Sequence, residues 1–206
     1  MGQKSSARRV KATRAFDVVA VAASAGGLNA ISRVLEALPP DFPAPIVVVQ
    51  HLDPRHRSLI AEILSRLTHL RVKQAEEGES VVPGTIYIAR PDRHLLVNVD
   101  QTLSLTQTEL VHFVRPSADL LFESVAASYK DRVIGVVLSG SGSDGAMGVQ
   151  AIKKMGGTVI AQDKSTSEFY GMPGAAIGSG SVDFTLPLPQ IAMALTTLVM
   201  GEEVGK

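Results

Sequence analysis

Cysteine and tryptophan are both absent from the 206 residues, and aromatic side chains make up only 4% of them. Without cysteine the chain has no disulfide framework, no thiol nucleophile and no thiolate metal ligand, which fits a cytoplasmic protein. The 20 acidic residues equal the 20 basic ones, so no overall field favours nucleic acid as a partner. No apolar run approaches membrane-spanning length, so we predict no membrane insertion.

The chain does contain enough apolar sequence for one folded domain. Residues 1–15 carry five basic side chains and almost no large apolar ones, which predicts a disordered basic tail. Residues 16–206 are predicted to form a single domain with a substantial core, because no repeat or linker interrupts them.

The stretch from Asp17 to Gly27 is a valine-rich apolar run that ends in two glycines. It predicts a buried strand, a sharp turn and a helix. Ser24 falls at the C-terminal end of the strand, where parallel sheets present ligand sites. We expect the backbone N–H groups of Ala25 to Gly27 to face developing negative charge at the helix start. The predicted inner face of this helix consists of Leu28, Ile31, Val34, Leu35 and Leu38.

Two later segments repeat this arrangement. Ile46–Val49 predicts a strand followed by His51, and Ser58 can cap the next helix. Val133–Leu138 is the most hydrophobic strand, so we place it at the sheet centre, and a Gly/Ser-rich loop containing Asp144 follows it. The second helix is predicted to face inward with Leu59, Ile63, Leu64 and Leu67. The other predicted elements are a helix from Ser117 to Tyr129, a helix through Met147–Met155, a strand Thr158–Ala161, a short helix through 175–177, a strand near Val182–Leu186 and a last helix from Leu188.

Between Val72 and Thr106 the pattern changes to short strands separated by turns. Such closely spaced runs predict an antiparallel ribbon or a sheet edge rather than another crossover unit. The predicted fold class is therefore α/β: a doubly wound, mainly parallel sheet with helices on both faces and a short antiparallel excursion at Val72 to Leu105.

Ser24, His51 and Asp144 each follow a buried strand at its C-terminal end. Parallel strands bring these ends to one edge, so the three residues can meet although they are far apart in sequence. Serine, histidine and aspartate are the types that nucleophilic catalysis needs: a hydroxyl, a base and a carboxylate that orients the base. Each also has a structural explanation, as a turn residue, a hydrogen-bonded histidine and a helix N-cap.

Two other kinds of site are weaker alternatives. Asp53, His56, Asp92 and His94 lack the spacing of a metal site, so no metal or cofactor is predicted. The loop Gly140 to Gly145 resembles a phosphate cradle but lacks the ending of a P-loop. A nucleotide-binding α/β domain remains an alternative at this point.

Five sequence blocks, in order and covering about Asp17 to Leu195, resemble the catalytic domain of the chemotaxis protein-glutamate methylesterases (the CheB type). The blocks are Ala23-Ser24-Ala25-Gly26-Gly27, Gln50-His51, Arg115-Pro116-Ser117-Ala118-Asp119, Leu138-Ser139-Gly140-Ser141-Gly142-Ser143-Asp144-Gly145-Ala146 and Gly171-Met172-Pro173.

The resemblance implies a serine hydrolase that removes methyl esters from glutamates on the cytoplasmic helices of chemoreceptors, and that deamidates receptor glutamines in many members. The family's nucleophile, base and acid fall on Ser24, His51 and Asp144. We expect backbone support for the oxyanion from Ala25, Gly26 and Ser141. Candidate substrate-cleft residues are Arg115, Tyr170 and Met172. Arg115 could instead pair with Asp119 one helical turn on.

The chain also departs from the family pattern. Ala25 stands where threonine is common, Ser141 where methionine is common, and Val114 where a histidine often precedes the Arg-Pro-Ser block, with His112 displaced. A phosphoacceptor receiver domain is not apparent, so we expect hydrolysis without a phosphodonor and regulation by a separate protein. A catalytically silent receptor-binding module is the other alternative.

Overall fold

The computed structural model describes residues 16–51 and 58–200, so the predicted tail 1–15 lies outside the described residues. Among the described residues, no helix is long and apolar enough to cross a membrane. The strands are β1 (Val18–Ala23), β2 (Ile46–Gln50), β3 (Arg71–Gln74), β4 (Thr85–Ile88), β5 (His94–Val97), β6 (Leu103–Thr106), β7 (Val133–Val137), β8 (Thr158–Gln162) and β9 (Phe184–Leu186). The helices are α1 (Gly27–Glu36), α2 (Ile60–Leu64), α3 (Ala118–Tyr129), α4 (Ala146–Lys154), α5 (Gly171–Gly178) and α6 (Leu188–Met200), with a 3₁₀ turn at Lys130–Arg132.

The main sheet has seven strands in the order β3-β4-β2-β1-β7-β8-β9, and every neighbouring pair is parallel. From β1 the chain passes through α1 to β2 on one side, whereas from β7 it passes through α4 to β8 on the other side. The winding direction therefore reverses between β1 and β7. A crevice at the C-terminal ends of the strands is expected at such a reversal, and ligands of open α/β sheets bind there.

Helices cover both faces of the sheet, as the sequence predicted. β1 is buried along its whole length, and its side chains alternate between two core clusters. Val19 and Val21 pack with α1, α2 and α6, whereas Val18, Ala20 and Ala22 pack with α3, α4, α5 and the β5–β6 ribbon. Because both faces are covered, the central strands are continuously apolar rather than alternating.

The antiparallel excursion is confirmed for β5 and β6, which form a separate two-stranded antiparallel sheet. The predicted bounds of Val72 to Leu105 are too wide, because β3 and β4 join the main sheet in parallel, with β3 at its edge. The strand predicted at the sheet centre, β7, is an interior strand beside the central β1.

The inner face predicted for α2 is wrong for three of its four residues. Only Leu64 is buried, together with Ile60, whereas Leu59, Ile63 and Leu67 are exposed. The helix begins at Ile60 and is only five residues long. Apolar residues recur at i, i+4 spacing in two neighbouring rows. The row of Ile60 and Leu64 faces the sheet, whereas the row of Leu59, Ile63 and Leu67 is exposed.

Helices α3 and α4 approach each other closely at Gly148. A Cβ atom built on Gly148 would lie 2.5 Å from the Cβ of Phe122 and 3.0 Å from the backbone oxygen of Asp119. The missing side chain thus lets the two helix starts come together, and this contact positions the loop before α4.

We predict that Gly148→Ala destabilises the fold by about 1–3 kcal/mol, since the added methyl group must displace backbone as well as a buried ring. Gly178→Ala in α5 is the matched control, because a Cβ there meets nothing within 4 Å. The free energy of unfolding of both variants is measured by urea titration, with circular dichroism as the signal. Equal stability of the two variants would contradict the described α3–α4 contact.

Candidate active site

Ser24 directly follows β1, and backbone bonds hold it against β7. Its N–H donates to the Ser139 carbonyl at 3.0 Å, and its own carbonyl accepts the Gly27 N–H at 2.9 Å in a tight turn. Gly26 within the turn has a φ of 70°, a conformation that glycine adopts without strain. The Gly27 N–H is therefore engaged, and the prediction that it faces a developing anion is wrong.

Gln50, the last residue of β2, joins the Ser24 loop to the His51 loop. Its Nε2 donates to the Ser24 carbonyl at 2.7 Å and to the His51 carbonyl at 3.0 Å. A Cβ on Gly27 would lie 2.2 Å from the Gln50 Oε1 atom, so only glycine leaves room for this amide. The His51 N–H also donates to the Ala23 carbonyl at 3.0 Å. The two loops are thus fixed relative to each other by the Gln50 amide and by a main-chain hydrogen bond.

The His51 ring contacts the carboxylate of Asp144. His51 Nε2 lies 2.8 Å from Asp144 Oδ2, and the two side chains are 13% and 4% exposed. Among the described residues, the other ring nitrogen, Nδ1, has no hydrogen-bond partner. When Nε2–H donates to Asp144, Nδ1 is left as the basic nitrogen.

The start of α3 surrounds the Asp144 carboxylate. Oδ1 accepts the Ser117 hydroxyl at 2.9 Å and the Asp119 N–H at 3.1 Å, while Oδ2 accepts the Ala118 N–H at 2.6 Å. A helix N-terminus favours a negative charge because its first N–H groups lack intrahelical partners. Asp144 is therefore held in one orientation, with Oδ2 shared between α3 and His51.

Asp119 makes the reciprocal contact at the start of α4. Its Oδ1 accepts the N–H groups of Met147 at 3.0 Å and Gly148 at 2.7 Å. Asp144, which precedes α4, thus caps α3, while Asp119, which lies in α3, caps α4. The Asp119 Oδ2 atom is buried without a hydrogen bond, and His112 Nε2 lies 3.4 Å from it.

The pKa values of the two carboxyl groups are shifted in opposite directions. Burial opposes ionisation of Asp144, but hydrogen bonds from His51 and from the Ala118 and Asp119 N–H groups outweigh it and lower the pKa of Asp144. Burial raises the pKa of Asp119, and the nearby charge of Asp144 adds to this rise against the hydrogen bond from Gly148. The carboxyl group next to His51 is therefore the more readily ionised of the two.

A cleft of about 510 Å³ opens where β1 and β7 end. No hydrogen bond to the Ser24 hydroxyl is present in the described part of the chain, and the Ser24–His51 contact predicted from the sequence stays a prediction. A larger hollow of about 620 Å³ between α1 and α6 contains no serine–histidine pair. The lining residues of the cleft are Ser24, His51, His112, Phe113, Val114, Ser141, Gly142, Ser143 and Asp144.

Backbone donors predicted for an oxyanion lie on both sides of this cleft. Within residues 16–51 and 58–200, the N–H groups of Ala25, Gly26 and Ser141 have no hydrogen-bond partner. Ala25 and Gly26 lie in the turn after Ser24, and Ser141 lies in the loop after β7. Their free N–H groups are compatible with binding a negative oxygen.

The three candidate substrate-cleft residues have different surroundings. Met172 is 1% exposed, and a Cβ on Gly140 would lie 2.3 Å from its sulfur. Met172 therefore packs behind the active-site loop, and its predicted place on the cleft rim is wrong. Tyr170 is half-buried, and Lys164 Nζ lies 5.9 Å from its ring centroid.

Arg115 pairs with Asp92 at 2.5 Å and donates to the Thr108 carbonyl at 2.6 Å. The alternative prediction that it pairs with Asp119 is wrong, since that carboxylate faces α4. His94, considered as a metal ligand, is buried with Nδ1 accepting the Ser117 N–H at 3.1 Å and Nε2 donating to the Glu109 carbonyl at 3.0 Å.

Asp53 and His56, also considered as metal ligands, lie outside the described residues. Within the described ranges, no three His, Asp or Glu side chains come together as a metal site requires.

Sequence reasoning missed the residues that support the three candidate side chains. Gln50, Ser117 and Asp119 have no feature that identifies their partners from sequence alone. One signal was available: Asp119 lies two residues after an N-capping serine, so a carboxylate in the first turn of a helix was predictable. Its partner across the α3–α4 contact was not.

A CheB methylesterase family model matches residues 19–195, and the chain belongs to this family. A putative protein-glutamate methylesterase/protein-glutamine glutaminase of Leptospira interrogans is 43% identical over 177 residues, which cover 86% of this chain and 92% of that protein. Protein-glutamate methylesterase/protein-glutamine glutaminase 2 of Caulobacter vibrioides is 43% identical over 180 residues, which cover 85% of this chain but 52% of that protein. The crystal structure of the Thermotoga maritima CheB methylesterase catalytic domain superposes with a TM-score of 0.86 at 39% identity, covering 89% of this chain and 99% of that one.

We predict opposite pH trends in stability for Asp144→Asn and Asp119→Asn. The lowered folded-state pKa of Asp144 gives stability that is present above the ordinary aspartate pKa of about 3.9 and is lost as pH falls. The raised pKa of Asp119 gives stability that is present at low pH and is lost as pH rises through the folded-state value. Urea unfolding at a series of pH values measures both differences from the wild type.

The stability advantage of the wild type over Asp144→Asn should shrink on acidification from about pH 5 to 3. The wild type should instead lose stability relative to Asp119→Asn as the pH rises over the same range. If the stability difference from the wild type changed in the same direction with pH for both variants, the opposite pKa shifts described for Asp144 and Asp119 would be contradicted.

Proposed function

We propose that this chain hydrolyses the methyl esters of protein glutamates on the cytoplasmic helices of chemoreceptors, acting in the cytoplasm through an acyl-enzyme. The 2.8 Å contact between His51 and Asp144, in a cleft that Ser24 also lines, carries this proposal. The names of the relatives support the substrate class, since they are called protein-glutamate methylesterases.

In the proposed first step, the Ser24 hydroxyl attacks the glutamyl carbonyl carbon. His51 Nδ1 takes the hydroxyl proton, because Nε2 is directed to Asp144. Asp144 holds the ring orientation and stabilises the imidazolium that forms. The carbonyl oxygen becomes negative, and the free N–H groups of Ala25, Gly26 and Ser141 are the proposed donors to it.

Collapse of the tetrahedral intermediate breaks the bond to methanol. His51 passes its proton to the departing methoxide, which leaves the glutamyl group esterified to Ser24. Water then enters, His51 takes its proton, and a second tetrahedral intermediate breaks to release the free glutamate and Ser24. These side chains, the ester and one water molecule account for every atom and proton in the two steps.

Deamidation of glutamine is a second candidate activity of the same site. The relatives named above carry protein-glutamine glutaminase in their names. The chemistry differs only in the leaving group, since His51 would pass its proton to the departing amide nitrogen and release ammonia instead of methanol. Control by a separate regulatory protein stays a prediction.

The nucleotide-binding alternative is weakened by the helix starts. The N–H groups of Met147 and Gly148 at the start of α4 are bound by the Asp119 carboxylate. Those of Ala118 and Asp119 at the start of α3 are bound by Asp144. Phosphate would have to displace an internal carboxylate at either place, so the Gly-rich loop offers no open cradle there.

We predict that Ser24→Ala abolishes methanol release from methylated chemoreceptor and leaves the fold intact. The hydroxyl is a reactant, and removing a triad nucleophile costs on the order of 10⁶-fold in kcat in another serine hydrolase. Asp144→Asn is expected to lose on the order of 10⁴-fold, since it favours the wrong imidazole tautomer. Methanol release from purified receptor and thermal melting measure activity and folding together.

Ser141→Ala is the matched control for these variants. It removes a hydroxyl from the same cleft but keeps the backbone N–H, so we expect activity within a few-fold of the wild type. Near-normal turnover by Ser24→Ala would remove this serine from the mechanism. A wild type that releases no methanol would instead favour the silent-module alternative.

A further inference from the structure

A tight turn stands at the lip of the catalytic cleft. Val111 and Val114 exchange two backbone hydrogen bonds, of 3.2 Å and 2.9 Å, and His112 and Phe113 form the two-residue loop between them. Both loop residues are left-handed, with φ values of 49° and 65°. Two-residue loops of this kind favour asparagine and glycine. Histidine adopts a left-handed conformation more readily than most residues, whereas the bulky side chain of Phe113 is sterically disfavoured there.

Phe113 is 94% exposed although it is a large apolar side chain. A single exposed apolar residue is ordinary on a protein surface. Phe113 differs because it combines this exposure with a disfavoured backbone conformation and a place beside Ser24 and His51. Strained backbone is found preferentially at active sites and ligand-contacting sites.

The turn is also tied to the catalytic residues. His112 Nε2 lies 3.4 Å from Asp119 Oδ2, and Asp119 caps the helix that follows Asp144. The turn therefore lies beside the same helix starts that bind the Asp144 carboxylate. Phe113 lines the same cleft as Ser24 and His51.

A protein ester imposes a geometric demand on the enzyme. The cleft of about 510 Å³ can receive the esterified side chain, whereas the polypeptide that carries it must lie outside, across the lip. On a helix, residues three or four positions from the ester lie on the same face and would reach the lip together with it. Phe113 presents an aromatic surface at the place where those neighbours arrive.

We propose that Phe113 is a specificity-determining contact for the substrate helix, packing against apolar side chains one turn from the esterified glutamate. This inference rests on the proposed function and identifies which part of the surface distinguishes a protein ester from a small one. The contact supplies binding to the polypeptide and takes no part in bond making or breaking.

The test compares a methylated receptor with a small ester, N-acetylglutamate γ-methyl ester, by methanol release. Phe113→Asn removes the ring, and asparagine suits a left-handed turn, so the loop geometry is retained. We expect kcat/KM for the receptor to fall about tenfold more than kcat/KM for the small ester, mainly through KM, as for the loss of one apolar contact. Phe113→Tyr keeps the ring and should retain most receptor activity.

Val99→Ala is the control, since Val99 is 79% exposed and lies outside the cleft lining. Equal losses on both substrates, or no loss on either, would overturn the inference while leaving the proposed function standing. A change in oligomeric state of Phe113→Asn in sedimentation, with no change in the substrate ratio, would assign the aromatic surface to a second copy of the chain and also overturn it. A wild type that is inactive on both esters would instead contradict the proposed function itself.

Discussion

The rest of this site depends on a reciprocal interaction, in which a carboxyl group beside each of two neighbouring helix starts binds the first N–H groups of the other helix. Asp144 precedes α4 and binds the start of α3, while Asp119 lies in α3 and binds the start of α4. The first N–H groups of each helix are thus bound by a carboxyl oxygen from the other segment, and neither carboxyl group can move without freeing buried N–H groups. Gly148 permits the close approach that this exchange requires. His51 has a fixed partner because Asp144 is fixed first.

The sheet provides the same kind of constraint on the other side of the cleft. Two glutamines at strand ends, Gln50 on β2 and Gln162 on β8, are buried and bind the backbone of neighbouring loops. Gln50 holds the Ser24 carbonyl, and Gln162 Oε1 accepts the Ser139 N–H at 2.8 Å. The reversal of winding between β1 and β7 opens the crevice, and these amides set the loops that border it. The catalytic loops are thereby positioned by buried side-chain amides that bind their main chain.

Much of this arrangement could be predicted from the sequence, because its signals are local. Valine-rich runs marked β1, β2 and β7, and the convergence of parallel strand ends brought Ser24, His51 and Asp144 together as candidates. The direction of β3 and β4 could not be predicted, since four-residue strands carry no sign of parallel or antiparallel pairing. The burial of Met172 and the partners of Arg115 and Asp119 depend on contacts between distant segments, which periodicity does not encode.

The central claim is that Ser24 is a nucleophile activated by a histidine whose orientation Asp144 fixes. Intact-protein and peptide mass spectrometry after treatment with a fluorophosphonate tests it most directly, because such reagents phosphonylate an activated serine. The account predicts one adduct per chain, located on Ser24, whose rate of formation falls strongly in His51→Ala and Asp144→Asn. An adduct on another serine, or no adduct on a protein that releases methanol from methylated receptor, would contradict it.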